Sequence, residues 1–558
     1  MEGEELPKGW VWSHLEGIAL INPRHPANIL DDDTPVSFVP MTAISEDNWR
    51  IKANETRPFG KVRKGYTHFA EGDVLFAKIT PCMENGKAAI AKNLVNGIGC
   101  GTTELHVIRP QGNIPPEFIY YYIHQELFRE KAAAHMTGTA GQLRVPVDFI
   151  KSALIPLPPL PEQRILVARV ESLLERVKKA KQELDKIPEI IKKFHQSVLK
   201  QAMSGRLTAD WRERHPDVEP ASELLKRIQE ERLWRYEEEV KRAKAEGRKK
   251  PRKPKNLDVK PLDASDLSEV PDGWVWVKLS EVCKKIQDGS HFSPPNGPKG
   301  EVGPDGEVYS VPYITAKNIK CNGIDLSELT YVSLEVHRKI YQRCDPKPGD
   351  VLYIKDGATT GIAVINNLNF EFSMLSSVAM LRPEKYLIPE FLCYYLNCPD
   401  TFNRMTSKMT GTAINRIILD RIRNAEISLP PLEEQKEIVC RIEKLFKFAD
   451  EVEKQVKEAQ KQVEKISQSI LTKAFRGELT ADFRYAIKNW KNLDIEERKK
   501  YLIALPENDR EKVLYSDEFP IEPASVLLER IRAERERKKK ESRRLRRKKS
   551  GQITLFEI

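Results

Sequence analysis

The feature that most constrains the fold is a seam of apolar residues that occurs twice, 272 residues apart. In each copy, ten apolar residues follow one another at alternating steps of four and three. The first copy consists of Leu166, Val170, Leu173, Val177, Ala180, Leu184, Ile187, Ile191, Phe194 and Val198. The second consists of Ile438, Ile442, Leu445, Ala449, Val452, Val456, Ala459, Val463, Ile466 and Ile470. This heptad spacing predicts two long helices, each of which needs a partner helix to cover its narrow apolar face.

Short motifs repeat around both seams and show which parts of each copy vary. Leu157-Pro-Pro-Leu-Pro-Glu-Gln163 returns as Leu429-Pro-Pro-Leu-Glu-Glu-Gln435, again at an offset of 272. Upstream of each seam the offset between matching motifs drifts between 264 and 277. The two long helices are therefore predicted to be equal in length. The roughly 150 residues before each one, rich in short alternating runs and Gly/Pro clusters, predict a variable module of mixed α/β structure.

Positive charge is concentrated in two short runs. Residues 530–549 contain thirteen Lys and Arg against three Glu, and residues 241–255 contain nine against one. These runs carry +10 and +8 in a chain whose net charge is +10, so the remainder carries −8. Two basic runs on a mildly acidic body favour a polyanionic partner, above all nucleic acid.

The sequence favours a cytoplasmic location and reduced cysteines. No window approaches 18 consecutive apolar residues, and the opening residues have no apolar leader segment. The eight cysteines form no Cys-x-x-Cys pair, which is typical of scattered thiols in a reducing compartment.

No motif predicts catalysis or metal binding by this chain. A Gly-x-x-x-x-Gly-Lys-[Ser/Thr] phosphate loop does not occur, and the ten histidines are single and dispersed. Ser293-Pro-Pro-Asn296 resembles the signature of amino-methyltransferases but lacks the aromatic residue that stacks on a flipped base. We therefore expect no catalytic residue, no bound cofactor and no metal site.

Taken together, the repeated motifs closely resemble the specificity (S) subunit of Type I restriction–modification enzymes. The Gly-Trp start, the Gly-Asp-Val-Leu strand, the Thr-Gly-Thr-Ala loop and the Leu-Pro-Pro-Leu-x-Glu-Gln helix entry all occur twice and in the same order. The resemblance runs from Gly9 to about Arg484. It implies a non-catalytic DNA-binding subunit whose two target-recognition domains each read one half of a bipartite target.

The resemblance also implies the architecture and the partners. The fold class is α/β (α+β), with two target-recognition domains in tandem and two long helices that form an antiparallel coiled coil, set the spacing and dock partners. The partners are double-stranded DNA, two methyltransferase (modification) subunits that methylate adenine N6, and restriction (motor-nuclease) subunits. S-adenosylmethionine, ATP and Mg are then implied for those partner subunits and not for this chain, and no membrane is involved.

The predicted boundaries follow the repeats. They are 1–156 for the first target-recognition domain, 157–207 for the first spacer helix, 208–269 for a charged helical linker, 270–428 for the second domain, 429–478 for the second helix and 479–558 for a basic C-terminal tail.

DNA contacts are expected where loops rich in small polar residues follow strands. Lys78 and Lys355 end equivalent strands, and the Thr-Gly-Thr-Ala loops lead into amide and arginine side chains that suit base edges and phosphates. The candidates are Lys78, Asn85, Lys87, Thr139, Gln142 and Arg144 in the first domain, and Lys355, Thr359, Thr360, Thr412, Asn415 and Arg416 in the second. The alternative for each is an ordinary solvated loop.

Two other classes of function stay open at this stage. A fused methyltransferase or nuclease would need a cofactor loop that the sequence lacks, and a pure coiled-coil scaffold would not bind random duplex DNA. At the end of the chain, Gln552-Ile-Thr-Leu-Phe556 resembles peptides that dock on DNA sliding clamps; packing on this chain or a partner subunit is the alternative.

Overall fold

The computed structural model describes the chain except residues 1–4, 26–28, 47, 53–54, 140, 255–256, 258–261, 263–264, 266, 305, 407–415 and 554–558; in the last helix the side chains of 542 and 545–553 are also left undescribed. The chain divides into two compact units. Unit 1 comprises Met1–Asp185 and Glu458–Ile558, and unit 2 comprises Lys186–Lys457. Each long helix therefore contributes one part to each unit.

Strands and helices follow the two repeats. Module 1 (residues 10–157) contains β1 Val11–His14, α1 Leu15–Ile18, β2 Ala19–Ile21, β3 Pro35–Val39, β4 Glu55–Pro58, α2 Phe59–Val62, β5 Thr67–Ala70, β6 Val74–Ala77, β7 Ala88–Ile90, β8 Ile98–Gly101, β9 Leu105–Pro110, α3 Pro116–Ile123, α4 Glu126–Ala134, α5 Val147–Ser152 and β10 Leu154–Leu157. The first long helix, α6 Leu160–Met203, is followed by α7 Ala209–Arg214 and α8 Ala221–Ala245.

Module 2 (residues 274–429) contains β11 Val275–Lys278, α9 Leu279–Val282, β12 Cys283–Asp288, β13 Tyr309–Ile314, β14 Ile319–Lys320, β15 Gly323–Ile324, β16 Thr330–Ser333, α10 Leu334–Tyr341, β17 Val351–Ile354, β18 Ala363–Ile365, β19 Ser373–Met374, β20 Val378–Pro383, α11 Pro389–Asn397, α12 Pro399–Thr406, α13 Leu419–Arg423 and β21 Glu426–Leu429. The second long helix, α14 Leu432–Phe475, is followed by α15 Ala481–Lys488, α16 Ile495–Lys499, α17 Glu507–Leu514 and α18 Ala524–Ile553.

Module 1 is built on two four-stranded sheets, in the strand orders β2-β9-β6-β7 and β4-β3-β8-β5. Strand β6 is apolar throughout, and all four of its residues are buried because alternate side chains enter separate cores on the two faces of the sheet. The first and last strands of module 1, β1 and β10, pair antiparallel with Val11 opposite Leu157, so the module ends directly before α6 begins.

Module 2 repeats the part of this plan that carries the shared motifs. Its main sheet has the order β12-β20-β17-β18. The first and last strands of the module, β11 and β21, form a separate antiparallel pair with Val275 opposite Leu429. Its second sheet has three strands, β16-β13-β19, beside a separate β14-β15 hairpin. The modules therefore differ where their sequences drift, and the fold-class prediction of two mixed α/β domains is confirmed.

The long helices pack antiparallel within each unit. In unit 1, Lys181 lies 3.9 Å from Glu464 and Asp185 accepts a hydrogen bond from Gln460 at 2.8 Å, so residue numbers rise along α6 as they fall along α14. In unit 2, the His195 ring lies 4.3 Å from that of Phe446. The predicted antiparallel pairing is confirmed.

The predicted seam is buried most completely near the modules. Its buried members are Leu166, Val170, Ile191, Val198, Ile438, Ile442, Ala449, Val456 and Ile470, and its half-buried members are Leu173, Val177, Leu184, Ile187, Phe194, Leu445, Val452, Ala459 and Val463. Ala180 is exposed. Ile466 is instead 46% exposed, so its predicted place in the interface is corrected. The four members that are completely buried, Leu166, Val170, Ile438 and Ile442, belong to the module cores, which add to the contacts made by the partner helix.

A buried glutamate from the repeated Leu-Pro-Pro-Leu motif closes one junction in each unit. In unit 2, Glu434 accepts hydrogen bonds from Thr208 at 2.6 Å, Arg212 at 2.5 Å and the Trp274 indole at 2.8 Å.

In unit 1, Glu162 accepts the equivalent bonds from Thr480 at 2.6 Å and Arg484 at 2.5 Å. Burial raises the pKa of Glu162, and the bonds from Thr480 and Arg484 oppose that rise. The glutamate, the threonine and the arginine each recur at an offset of 272, which explains why the offset is constant over this part of the chain.

A second repeated ion pair reinforces each junction. Arg441 donates to Asp210 at 2.5 Å and to the Leu207 carbonyl at 2.8 Å. The equivalent pair in unit 1 joins Arg169 to Asp482 at 2.5 Å. Each beginning of a long helix is thus bonded to the turn that follows the other long helix.

The segment 479–558, predicted as a basic tail, is folded over much of its length. Phe483, Trp490 and Phe519 form a small core with Ile165 of α6. The start of α18 is buried in the core of module 1 through residues 524–531. Among the described residues, no helix is long and apolar enough to cross a membrane.

Candidate nucleic-acid interface

In module 1 the structure brings three of the six predicted DNA-contacting residues together. The backbone N–H of Val145 donates to the Lys78 carbonyl at 2.8 Å, and an antiparallel bridge joins Ile79 to Arg144. Lys78, Gln142 and Arg144 therefore lie at one edge of the module. The Lys78 side chain is half-exposed and Gln142 is exposed.

The remaining candidates of module 1 have different surroundings. Arg144 is already engaged, since both arms of its guanidinium bind Glu104 at 2.8 and 3.0 Å. That hydrogen-bonded pair lowers the pKa of Glu104. Thr139 and Asn85 are exposed and Lys87 is half-exposed. Three candidates therefore remain accessible, namely Thr139, Asn85 and Lys87. The guanidinium of Arg144 is instead bound by the Glu104 carboxylate.

Lys355 in module 2 is the clearest correction to the predicted site. It is only 1% exposed and lies between two carboxylates, 3.5 Å from Asp288 and 3.1 Å from Asp356. A buried, doubly paired ammonium cannot reach a DNA phosphate, so the prediction that Lys355 contacts DNA is wrong for this structure.

Strand register explains why two equivalent lysines have opposite environments. Ile21 pairs with Ile108 in module 1, and Ile286 pairs with Leu381 in module 2. Ile21 and Ile286 therefore occupy equivalent positions, and so do the residues two positions later, Pro23 in module 1 and Asp288 in module 2.

The other carboxylate beside Lys355 is also specific to module 2. The bridges Asp356–Arg416 and Ile79–Arg144 occupy the same place in their modules, so Asp356 corresponds to Ile79. Both carboxylates that neutralise Lys355 are therefore missing from module 1. Among the described residues Lys78 forms no direct ion pair, and the carboxylate that interacts with it electrostatically is Glu104, which is bound by Arg144.

The other candidates of module 2 are divided between surface and interior. Thr359 and Arg416 are exposed, and Arg416 lies 3.2 Å from Asp356. Thr360 is buried, and its hydroxyl donates to the Gly357 carbonyl at 2.7 Å. Thr412 and Asn415 lie outside the described residues.

Sequence analysis missed the network around Asp288. Arg343 donates to this buried carboxylate at 2.7 Å, and the His291 Nε2 lies 3.1 Å from the same oxygen. Both side chains are about half exposed, so they link Lys355 to the surface. Asp288 and His291 lie more than 50 residues before Arg343 and Lys355, and no motif indicated that these two regions meet.

Three histidines make module 1 sensitive to acid. Burial lowers the pKa values of His25, His68 and His106 from 6.5. The unfolded chain then binds more protons than the folded module below about pH 6.5, so the free energy of unfolding falls as the pH falls. We expect hydrogen exchange of β6 to speed up between pH 7.5 and pH 5.5 more than that of β17, both corrected for intrinsic rates. Equal acceleration in the two strands would contradict this.

Comparison with known proteins identifies the family. The sequence profile described as "Type I restriction modification DNA specificity domain" matches residues 7–189 and again 271–462. The chain belongs to this family. Each match begins just before a module and runs into its long helix, so the specificity-domain repeat is the module–helix pair described above.

Curated relatives share most of this length. The chain is 30% identical over 512 residues to the Type I restriction enzyme EcoEI specificity subunit of Escherichia coli, which covers 82% of this chain and 81% of the relative. It is 28% identical over 514 residues to the EcoKI specificity subunit of strain K12, covering 87% and 92%.

Solved structures of specificity subunits share the fold. The HsdS subunit of Thermoanaerobacter tengcongensis is 23% identical, with a TM-score of 0.53, over 85% of this chain and 98% of that one. A chain from a structure of type I restriction–modification complex assembly is 24% identical, with a TM-score of 0.55, over 85% and 99%. Within the described residues of this specificity-family chain, no cluster of His, Cys, Asp and Glu could hold a metal ion.

Proposed function

We propose that this chain directs a Type I restriction–modification complex to DNA, with module 1 and module 2 each reading one half of a bipartite target. The observation that carries the proposal is the duplication itself. In each unit the start of one long helix is bonded to the turn after the other through an equivalent buried glutamate and an equivalent Arg–Asp pair. Each long helix has 44 residues and is about 66 Å long at 1.5 Å per residue. Such a pair can hold two reading modules at a fixed spacing.

The chemistry is proposed to reside in partner subunits. These are two methyltransferase subunits, which bind S-adenosylmethionine and methylate adenine N6, and restriction subunits, which use ATP and Mg. The chain itself is proposed to be non-catalytic, cytoplasmic and dependent on docking those subunits along its long helices. Family membership and the lack of a cofactor-loop motif in the sequence support this division of labour.

Exchanging module 2 is the direct test. Residues 272–428 are replaced with the matching segment of a related specificity subunit, and methylated adenines are mapped in cells that carry the complex. One half of the methylated sequence should change, while the other half and the spacing stay the same. The control adds four residues, about one helical turn, to both long helices and should change only the spacing. Altered bases in both halves after the module exchange would contradict the proposal.

The basic part of α18 is expected to add affinity without sequence preference. Ala524, Leu527 and Ile531 are buried in the core of module 1, so truncation at Pro520 would damage the module. Truncation after Glu536 spares this core and removes ten Lys and Arg with two Glu. Binding to target and random duplexes should weaken by the same factor, and the slope of log K against log salt should flatten. Methylation of a different sequence by the truncated complex would contradict this.

The sliding-clamp hypothesis stays a proposal. Leu555 and Phe556 lie outside the described residues.

A further inference from the structure

Module 1 contains an open cleft of about 860 Å³ that the motif analysis did not find. Its walls come from four places in the chain: the segment after β2, the stretch from α2 into β5, the residue after β6, and residues 103–105 at the start of β9. The predicted DNA contact Lys78 is one of its lining residues.

The cleft is strongly cationic. Arg24, Arg63, Lys64 and Lys78 line it, and its described lining contains no carboxylate. Arg63 is paired with Asp32 at 2.8 Å. No ion pair or hydrogen bond engages the side chains of the other three cations in the part of the chain that the structure describes. Three ammonium or guanidinium groups left available in one concavity create a positive potential that favours an anion.

The walls of the cleft are held in place without using these cations. The His25 and His68 rings stack at a centroid distance of 5.1 Å, and the backbone N–H of His25 donates to the His68 Nδ1 at 3.3 Å. His25 also bonds the Phe69 carbonyl at 2.8 Å, which ties the Arg24 segment to β5. The cationic side chains thus project from a backbone that is already ordered, so binding need not order the walls.

Module 2 treats the corresponding position differently. Asp288 and Asp356 neutralise Lys355, the counterpart of Lys78, and their positions are occupied in module 1 by Pro23 and Ile79. Neither carboxylate has a counterpart in module 1, so the Lys78 ammonium lines the cleft without a direct ion pair among the described residues and is available to a ligand.

We infer that the module 1 cleft holds the phosphate backbone of one strand of duplex DNA, with Arg24, Lys64 and Lys78 as its phosphate contacts, and that module 2 has no equivalent lysine contact. This inference rests on the proposed function and assigns its contacts. Contacts from these cations to phosphates position the duplex but do not distinguish one base from another. The cleft is therefore expected to contribute DNA affinity and to fix the register of module 1 on the duplex.

The test uses the full chain assembled with its methyltransferase subunits. Two probes are compared, a duplex carrying the sequence that the wild-type complex methylates and a random duplex of equal length. The double variant Arg24→Ala/Lys64→Ala should raise Kd at least about tenfold on both probes and reduce the slope of log K against log salt by about two. Lys78→Met should raise Kd severalfold on both probes.

The matched control removes two exposed lysines elsewhere in unit 1, Lys488→Ala/Lys491→Ala, and should change Kd less than about twofold. Thermal unfolding of every variant is measured, and unchanged curves exclude misfolding as the cause. A double variant that binds like the control overturns the inference while leaving the proposed function intact. If the wild-type complex binds neither duplex above background, the proposed function itself fails.

Discussion

Replacing Lys355 with methionine should destabilise module 2 by about 3–5 kcal/mol, the typical effect of removing one partner from a buried ion pair. The substitution keeps the volume of the side chain but leaves Asp288, which is 1% exposed, and Asp356 with less compensating positive charge. Arg343 still pairs with Asp288, which sets the lower end of the range. Faster hydrogen exchange of β17 and β20, with β6 of module 1 unchanged, would report the loss.

Two further variants isolate the electrostatic cause. Lys78→Met at the equivalent position of module 1 removes an unpaired, half-exposed lysine and should change the free energy of unfolding by less than about 1 kcal/mol. The double variant Lys355→Met/Asp288→Asn removes one of the stranded charges and should recover part of the stability. Equal losses from Lys78→Met and Lys355→Met would show that charge pairing is not the cause.

Replacing Glu434 with alanine should open the junction of unit 2. The carboxylate is buried and accepts bonds from Thr208, Arg212 and the Trp274 indole, so truncation strands a guanidinium and two neutral donors. We expect a loss of about 3–5 kcal/mol in the free energy of unfolding of unit 2. A change in Trp274 emission and faster exchange of β11 should accompany the loss.

The neighbouring residue provides a matched control. Glu433 is exposed and pairs with Lys436 one turn away, so Glu433→Ala should alter stability by less than about 0.5 kcal/mol. Glu162→Ala should reproduce the Glu434 effect in unit 1, because Thr480 and Arg484 bond it in the same way. If Glu434→Ala and Glu433→Ala behaved alike, the glutamate would not hold the junction.

The sequence by itself determined the long helices, the duplication and the family. Heptad spacing is a local pattern, and the constant offset of 272 records contacts that must recur in both units. Strand β6 and its counterpart β17 could also be predicted from a local pattern, since four consecutive apolar residues followed by polar loops indicate a buried strand.

Only the tertiary structure decided what the individual charged residues do. Lys78 and Lys355 occupy the same position of the repeat, yet one lines an open cleft and the other is buried, because Asp288 reaches Lys355 from a strand 67 residues earlier. The motif glutamates Glu162 and Glu434 resemble ordinary helix-entry residues in the sequence, and their bonding partners lie between 160 and 322 residues away. Local pattern determines which backbone elements form, whereas the free energy of a charge depends on neighbours that the fold brings from anywhere in the chain.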